Sequence, residues 1–157
     1  MPEKKTILYV DKDYLNKRDP DDVDIRELHA NVGYMTGCKL TKQLREIYEV
    51  TRAYDLGERV LNFMIARDKA GTHFDAMITH LPFDERQYGD YGQTTEVLTR
   101  LKKQFPKIPI LGYSGIDLPV FNACFSELVN DFVPKTIEPD EDIRQIKERL
   151  AKLLNTP

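Results

Sequence analysis

Polar side chains that could carry chemistry stand at the ends of short apolar runs in this chain. They are Asp11, Lys12, Asp13, His80, Ser114 and Lys135. The two aspartates could hold a cation, because Mg²⁺ prefers hard oxygen ligands. His80 could be a metal ligand or could take a phosphoryl group, whereas a filler histidine that bonds to its neighbours is the simpler interpretation. Which chemistry is open to these residues depends on whether the fold brings them together.

The elements that position these residues alternate between strands and helices. Apolar runs of strand type cover residues 6–10, 74–80 and 110–114, and two further strands are predicted at the more polar segment 49–53 and the short segment 131–133. Apolar stripes with helical spacing predict helices over 36–48, 57–70, 94–105, 118–129 and 138–154, with a further short helix at 24–30. Five strands alternating with helices predict a doubly wound parallel sheet with helices on both faces, in three α/β/α layers. In such a sheet, functional groups gather at the carboxyl ends of the strands, where the candidate residues lie.

Length and composition favour one globular domain over residues 1–157, with an inserted loop at about 13–35. The net charge of −3 disfavours a broad nucleic-acid-binding surface, which needs clustered excess Lys and Arg. The apolar runs are too short to span a membrane, so we expect the protein to be located in the cytoplasm. Cys38 and Cys124 form no CxxC pair, which disfavours a disulfide framework or a zinc site.

Three segments carry a resemblance to a known family. They are an apolar strand ending at Asp11, the segment Pro109-Ile110-Leu111-Gly112-Tyr113-Ser114-Gly115, and the segment Phe132-Val133-Pro134-Lys135. In this order they resemble the receiver domain of two-component response regulators. The resemblance implies a flavodoxin-like (CheY-like) fold, an aspartate at the end of the third strand that takes a phosphoryl group, and Mg²⁺ held by that aspartate and an acidic pair. It also implies that Lys135 steadies the acyl phosphate, that the Ser114 hydroxyl reports its arrival, and that Phe132 occupies the position of a switch aromatic.

The chain departs from this pattern at the residues that matter most. His80 stands where the family has its phosphate-accepting aspartate, and Lys12 stands at the second acidic position, with Asp13 one residue later. Thr136 follows Lys135 where the family usually has proline. The Lys12 ammonium could lie near Asp11 and replace the missing cation. We therefore expect no catalytic residue, no cofactor and no metal, with Asp11 and Asp13 as weak candidates for Mg²⁺ ligands.

The sequence favours an atypical receiver, or pseudo-receiver, over two alternatives. Such a domain is not an enzyme; it binds another signalling protein without phosphorylation, and a homodimer is one arrangement open to it. The first alternative is a phospho-accepting receiver that uses a displaced carboxylate, Asp84 or Asp13. The second is a small-molecule binder of flavodoxin-like architecture, which is disfavoured because residues 11–15 contain no glycine to cradle a phosphate. Without phosphorylation, Phe132 is expected to be a packed core ring.

Overall fold

A computed structural model of the chain describes residues 3–11, 32–53, 57–81 and 91–155, with the backbone alone for 32–35 and 91–93. Several sequence predictions fall outside these ranges. They concern Lys12, Asp13, Asp84, the short helix at 24–30 and most of the inserted loop at 13–35.

The described strands form one parallel sheet in the order β2-β1-β3-β4-β5. They are β1 (Thr6–Val10), β2 (Glu49–Ala53), β3 (Ala76–His80), β4 (Ile110–Ser114) and β5 (Asp131–Pro134). The central strands β1, β3 and β4 are apolar and buried on both faces, as expected of parallel strands covered by helices. Because all five strands are parallel, their carboxyl ends lie at the same edge of the sheet.

Five helices cover the two faces of the sheet within the described ranges. They are α1 (Val32–Arg45), α2 (Glu58–Lys69), α3 (Tyr91–Gln104), α4 (Leu118–Cys124) and α5 (Pro139–Asn155). One face packs against α2, α3 and α4 through a cluster that includes Leu61, Leu98 and Phe121. The other face packs against α1 and α5 through a cluster that includes Leu44 and Ile146. The predicted three-layer, doubly wound fold is confirmed.

Some predicted boundaries were wrong. Helix α1 ends at Arg45 rather than at 48, because the Leu44 carbonyl accepts the amides of both Ile47 and Tyr48 and turns the chain into β2. Helix α4 ends at Cys124 rather than at 129, because the next residues form a turn on the Phe125 carbonyl. The predicted stop of α2 at Gly71 is confirmed, since this glycine has a φ of +83°, a conformation that favours glycine.

Candidate functional site

The carboxyl ends of β1 and β3 bring Asp11 and His80 together. Asp11 follows β1 directly, and its amide donates to the Ala53 carbonyl at the end of β2, at 2.8 Å. His80 is the last residue of β3, and its Nε2 lies 3.7 Å from the Asp11 Oδ1. Two candidate residues predicted from separate strands are thus neighbours in one pocket.

The cation that contacts Asp11 within the described residues is Arg52, which the sequence interpretation had passed over. The Arg52 Nη2 donates to the Asp11 Oδ2 at 3.0 Å, and the two side chains are 4% and 2% exposed. Arg52 comes from β2, where it pairs in register with Tyr9 of β1, and its guanidinium carbon lies 5.7 Å from the Tyr9 ring centroid. A charge this deeply buried is tolerated only when it is paired and hydrogen-bonded. The Arg52 charge therefore neutralises the Asp11 carboxylate, so this part of the pocket is closed to a second cation.

His80 is packed among tyrosine rings beside this pair. Its Nε2 lies 3.4 Å from the Tyr9 hydroxyl, and its ring meets the Tyr113 ring edge-to-face at a centroid distance of 5.1 Å. Its side chain is 14% exposed. These contacts support the interpretation of His80 as a histidine bonded to its neighbours.

Burial perturbs two further groups that face Arg52. The pKa of Tyr9 is held well above its ordinary value, chiefly because the ring is buried and secondly because Asp11 is negative. The pKa of the Cys38 thiol is also raised, again chiefly by burial, although Arg52 acts in the opposite direction. Both groups stay protonated and neutral at neutral pH, so the Arg52 charge is balanced mainly by Asp11.

A second buried carboxylate lies behind His80. The Tyr113 hydroxyl donates to the Asp142 Oδ2 at 2.8 Å, and the Thr136 amide donates to the same oxygen at 3.0 Å. The Thr136 hydroxyl donates to the Asp142 Oδ1 at 2.6 Å. Burial, followed by the bond to Asp142, raises the pKa of Tyr113 far above its ordinary value. The ring contact between His80 and Tyr113, followed by the hydrogen bonds of Asp142, therefore links the Asp11 pocket to the segment that follows β5.

Ser114 and Lys135 have different environments, although Ser114 ends β4 and Lys135 directly follows the neighbouring strand β5. The Ser114 hydroxyl is buried, donates to the Leu81 carbonyl at 2.8 Å and accepts the Ile116 amide at 3.3 Å. The Lys135 amide donates to the Ser114 carbonyl, whereas its side chain is exposed. Within the described residues, the Lys135 ammonium makes no hydrogen bond or ion pair. The serine hydroxyl thus has a structural use here.

Phe132 belongs to the core. Its ring stacks on Phe121 with centroids 4.3 Å apart and planes 16° from parallel. Its edge also lies near Gly112, where an added Cβ would stand 3.5 Å from the Phe132 Cδ2 and 3.0 Å from the Leu81 Cδ1. The packed ring that the sequence favoured is what the structure shows.

The described residues do not suit Mg²⁺. They contain no group of three or more His, Cys, Asp or Glu side chains arranged to hold a metal ion. Asp11 is the one carboxylate of the pocket that the structure describes, and it contacts Arg52 and His80, which are nitrogen groups, whereas Mg²⁺ demands an octahedron of oxygens. Asp13, the other weak candidate ligand, lies outside the described residues.

Comparison with known proteins shows the fold. No protein-family model and no curated protein sequence matches the chain. The phosphorylated cyanobacterial phytochrome response regulator RcpA matches with a TM-score of 0.63 and 17% identity, over 99% of this chain and 97% of RcpA. A CheY-like receiver domain protein from Methanospirillum hungatei matches with a TM-score of 0.58 and 17% identity, over 96% of this chain and 97% of that protein.

A third structure was solved in complex with a bound group. The response regulator TrrA from Thermotoga maritima, in complex with Mg(2+)-BeF, matches with a TM-score of 0.56 and 18% identity, over 95% of this chain and 98% of TrrA. At these identities the likeness establishes the fold, which is that of a CheY-like receiver domain. No helix within the described ranges is long and apolar enough to cross a membrane.

Proposed function

We propose that this chain is a pseudo-receiver: a signalling module with the receiver fold that binds another protein without being phosphorylated. The observation that carries the proposal is the buried Asp11–Arg52 pair with His80 beside it. The pair puts a fixed cation where a receiver needs an exchangeable one, and His80 puts an imidazole where a receiver needs a carboxylate. We further propose that the module acts in the cytoplasm and is not an enzyme.

The proposal follows from the requirements of phosphoryl transfer. A receiver pocket works by positioning a carboxylate nucleophile and by offsetting the charge of the incoming phosphoryl group with Mg²⁺ and a lysine. Here Mg²⁺ would have to compete with Arg52 for a carboxylate that is 2% exposed. Binding would therefore bury a second positive charge close to the guanidinium. Like charges this close in a low-dielectric site repel strongly. Binding of Mg²⁺ is therefore expected to be no better than roughly millimolar, the range of weak sites for hard cations.

The likeness to phosphorylated RcpA and to TrrA with Mg(2+)-BeF concerns the backbone. The proposal for this chain rests instead on the side chains of its own pocket, Asp11, Arg52 and His80. With no phosphoryl group to accept, the function left to the fold is recognition of another protein, or of a second copy of the chain. The net charge of −3 favours a protein partner over a nucleic acid.

Acetyl phosphate labelling tests the proposal. The protein is incubated with acetyl phosphate, with and without Mg²⁺, and its intact mass is measured at neutral pH so that an acid-labile phosphohistidine would survive. A receiver domain with its acceptor aspartate, labelled in parallel, shows that the reagent is active. We expect no phosphoryl adduct. A stoichiometric, Mg²⁺-dependent adduct mapped to Asp84 or Asp13 would instead establish the displaced-acceptor alternative, and an adduct on His80 would also overturn the proposal.

A further inference from the structure

A series of side-chain contacts, first between rings and then through hydrogen bonds, leads from the Asp11 pocket to the loop between β5 and α5, residues 135–138. It runs from His80 through the Tyr113 ring to Asp142 and then to Thr136. Tyr113 and Asp142 are 1% and 2% exposed. Water therefore has little access to the middle of this series of contacts, and each polar group there depends on its protein partner.

Asp142 is central to this series of contacts, because its carboxylate accepts hydrogen bonds from both the pocket side and the loop side. One donor, the Tyr113 hydroxyl, comes from the pocket side, and two donors, the amide and hydroxyl of Thr136, come from the loop side. Asp142 makes no ion pair with any described residue. Its place in the first turn of α5 favours its negative charge, but its hydrogen bonds must supply the rest of its solvation. Loss of a donor on one side therefore changes the strength of the bonds on the other.

On the loop side, the contacts to Asp142 come from the side chain and the amide of Thr136. A proline at this position would have no amide to donate, so the Asp142 contact uses a departure of this sequence from the receiver pattern. The Thr136 hydroxyl also accepts the Glu138 amide at 3.0 Å. The next residue, Ile137, is 93% exposed, so whatever positions Thr136 also positions a large apolar side chain in solvent.

We propose that Tyr113 and Asp142 energetically couple the Asp11–Arg52–His80 pocket to the β5–α5 loop. A change at His80 moves the Tyr113 ring that it contacts, the Tyr113 hydroxyl loses its alignment with Asp142, and the bonds from Asp142 to Thr136 weaken. The pocket state is thereby reported at Ile137 without any phosphoryl group. The coupling does not depend on the proposed function, because it requires only the contacts of the unbound chain.

The test is a double-mutant cycle on the full chain, read by amide hydrogen exchange in NMR spectra. His80→Gln removes the ring that contacts Tyr113 and leaves the Asp11–Arg52 pair in place. We expect it to speed exchange of the Thr136 amide about fivefold, the lower end of the usual range for coupled sites. In the Tyr113→Phe background the same change is expected to have less than a roughly twofold effect, because the link to Asp142 has already been removed.

Two internal controls separate coupling from general destabilisation. The Asn130 amide donates to the Ile110 carbonyl at 2.8 Å at the opposite edge of the sheet, so it should keep its exchange rate in every variant. Tyr48→Phe removes a partly buried tyrosine hydroxyl away from the network, and in that background His80→Gln should keep its full effect on Thr136. Equal effects of His80→Gln in the wild-type and Tyr113→Phe backgrounds would overturn the proposal.

The reverse experiment keeps the proposal testable if His80→Gln also speeds exchange at Asn130. If Tyr113 and Asp142 couple the two ends, Thr136→Val at the loop is expected to move the Tyr113 ring and so to shift the ring resonances of His80, which contact it. This shift must disappear in the Tyr113→Phe background. Absence of the shift with Tyr113 present would contradict the coupling, whatever the outcome of acetyl phosphate labelling.

Discussion

Removing Arg52 should destabilise the fold more than removing any surface arginine. In Arg52→Met the Asp11 carboxylate stays 2% exposed but loses the guanidinium at 3.0 Å, and the His80 imidazole at 3.7 Å compensates only in part. Breaking a buried ion pair by deleting one partner costs about 3–5 kcal/mol. Because His80 is partly open to solvent, we expect the lower end, about 3 kcal/mol. In the double variant Asp11→Asn with Arg52→Met, no charge remains to be solvated, and stability should return to within about 1 kcal/mol of wild type.

Urea unfolding followed by circular dichroism measures these differences, with Arg59→Met on the exposed face of α2 as the matched control. The control should change the free energy of unfolding by no more than about 0.5 kcal/mol. Equal destabilisation of the single and double Arg52 variants would refute the reasoning, because the loss would then come from packing rather than from an unpaired charge. An Arg52→Met variant as stable as the control would refute it as well.

Three further predictions concern other parts of the structure. Arg144, by its hydrogen bonds, lowers the pKa of Glu141 from 4.5 to about 2. This pair therefore stabilises the fold above pH 4.5, and the effect is lost as the pH falls towards 2. In Arg144→Ala, an NMR titration should find the pKa of Glu141 back in its ordinary range. Thr136→Pro removes the two donors to the buried Asp142 that come from the loop, leaving the Tyr113 hydroxyl, and should cost about 1–3 kcal/mol in urea unfolding, whereas a neutral effect would contradict the network. The pKa of Tyr113 is raised above 10, so its contribution is present below pH 10 and is lost as the pH rises further; Tyr113→Phe should flatten the alkaline decline of the melting temperature, and an unchanged slope would contradict this.

Much of the fold could be predicted from the sequence because the apolar pattern is strong where the core is made. Strands β1 and β4 are apolar at nearly every position, which in a parallel sheet reflects burial on both faces. The ends of α1 and α4 were harder to predict, because residues 46–48 and 125–129 keep an apolar spacing while their backbone amides bond in turns. Periodicity reports which side chains are buried and does not report which carbonyl accepts each amide.

The candidate site was only partly predictable, for a reason of register. Asp11 and His80 end neighbouring strands, so their contact follows from the strand order alone. Arg52 lies inside a strand of mixed polarity and could pass for a surface residue until its pairing with Tyr9 is known. An arginine near the carboxyl end of the strand beside β1 was the signal that could have identified it. Lys12, which the sequence had suggested as the replacement cation, lies outside the described residues.

The Tyr113–Asp142 contact was beyond reach of the sequence. Its partners are 29 residues apart, one inside a buried strand and the other in an acidic helical turn that suggested only favourable placement near the helix dipole. Only the packing of α5 against β4 and β5 shows that Asp142 points inward.

The most direct test of the central claim is an NMR titration of the protein with Mg²⁺ and beryllofluoride, the combination that TrrA was solved with. TrrA, titrated under the same conditions, is the positive control. If the Asp11–Arg52 pair closes the pocket, the amide resonances of Asp11, His80 and Ser114 should show no saturable shift at Mg²⁺ concentrations below roughly millimolar. Saturable shifts of these three resonances at micromolar Mg²⁺, with displacement of the Arg52 side-chain signal, would show an open phosphoryl pocket and contradict the account.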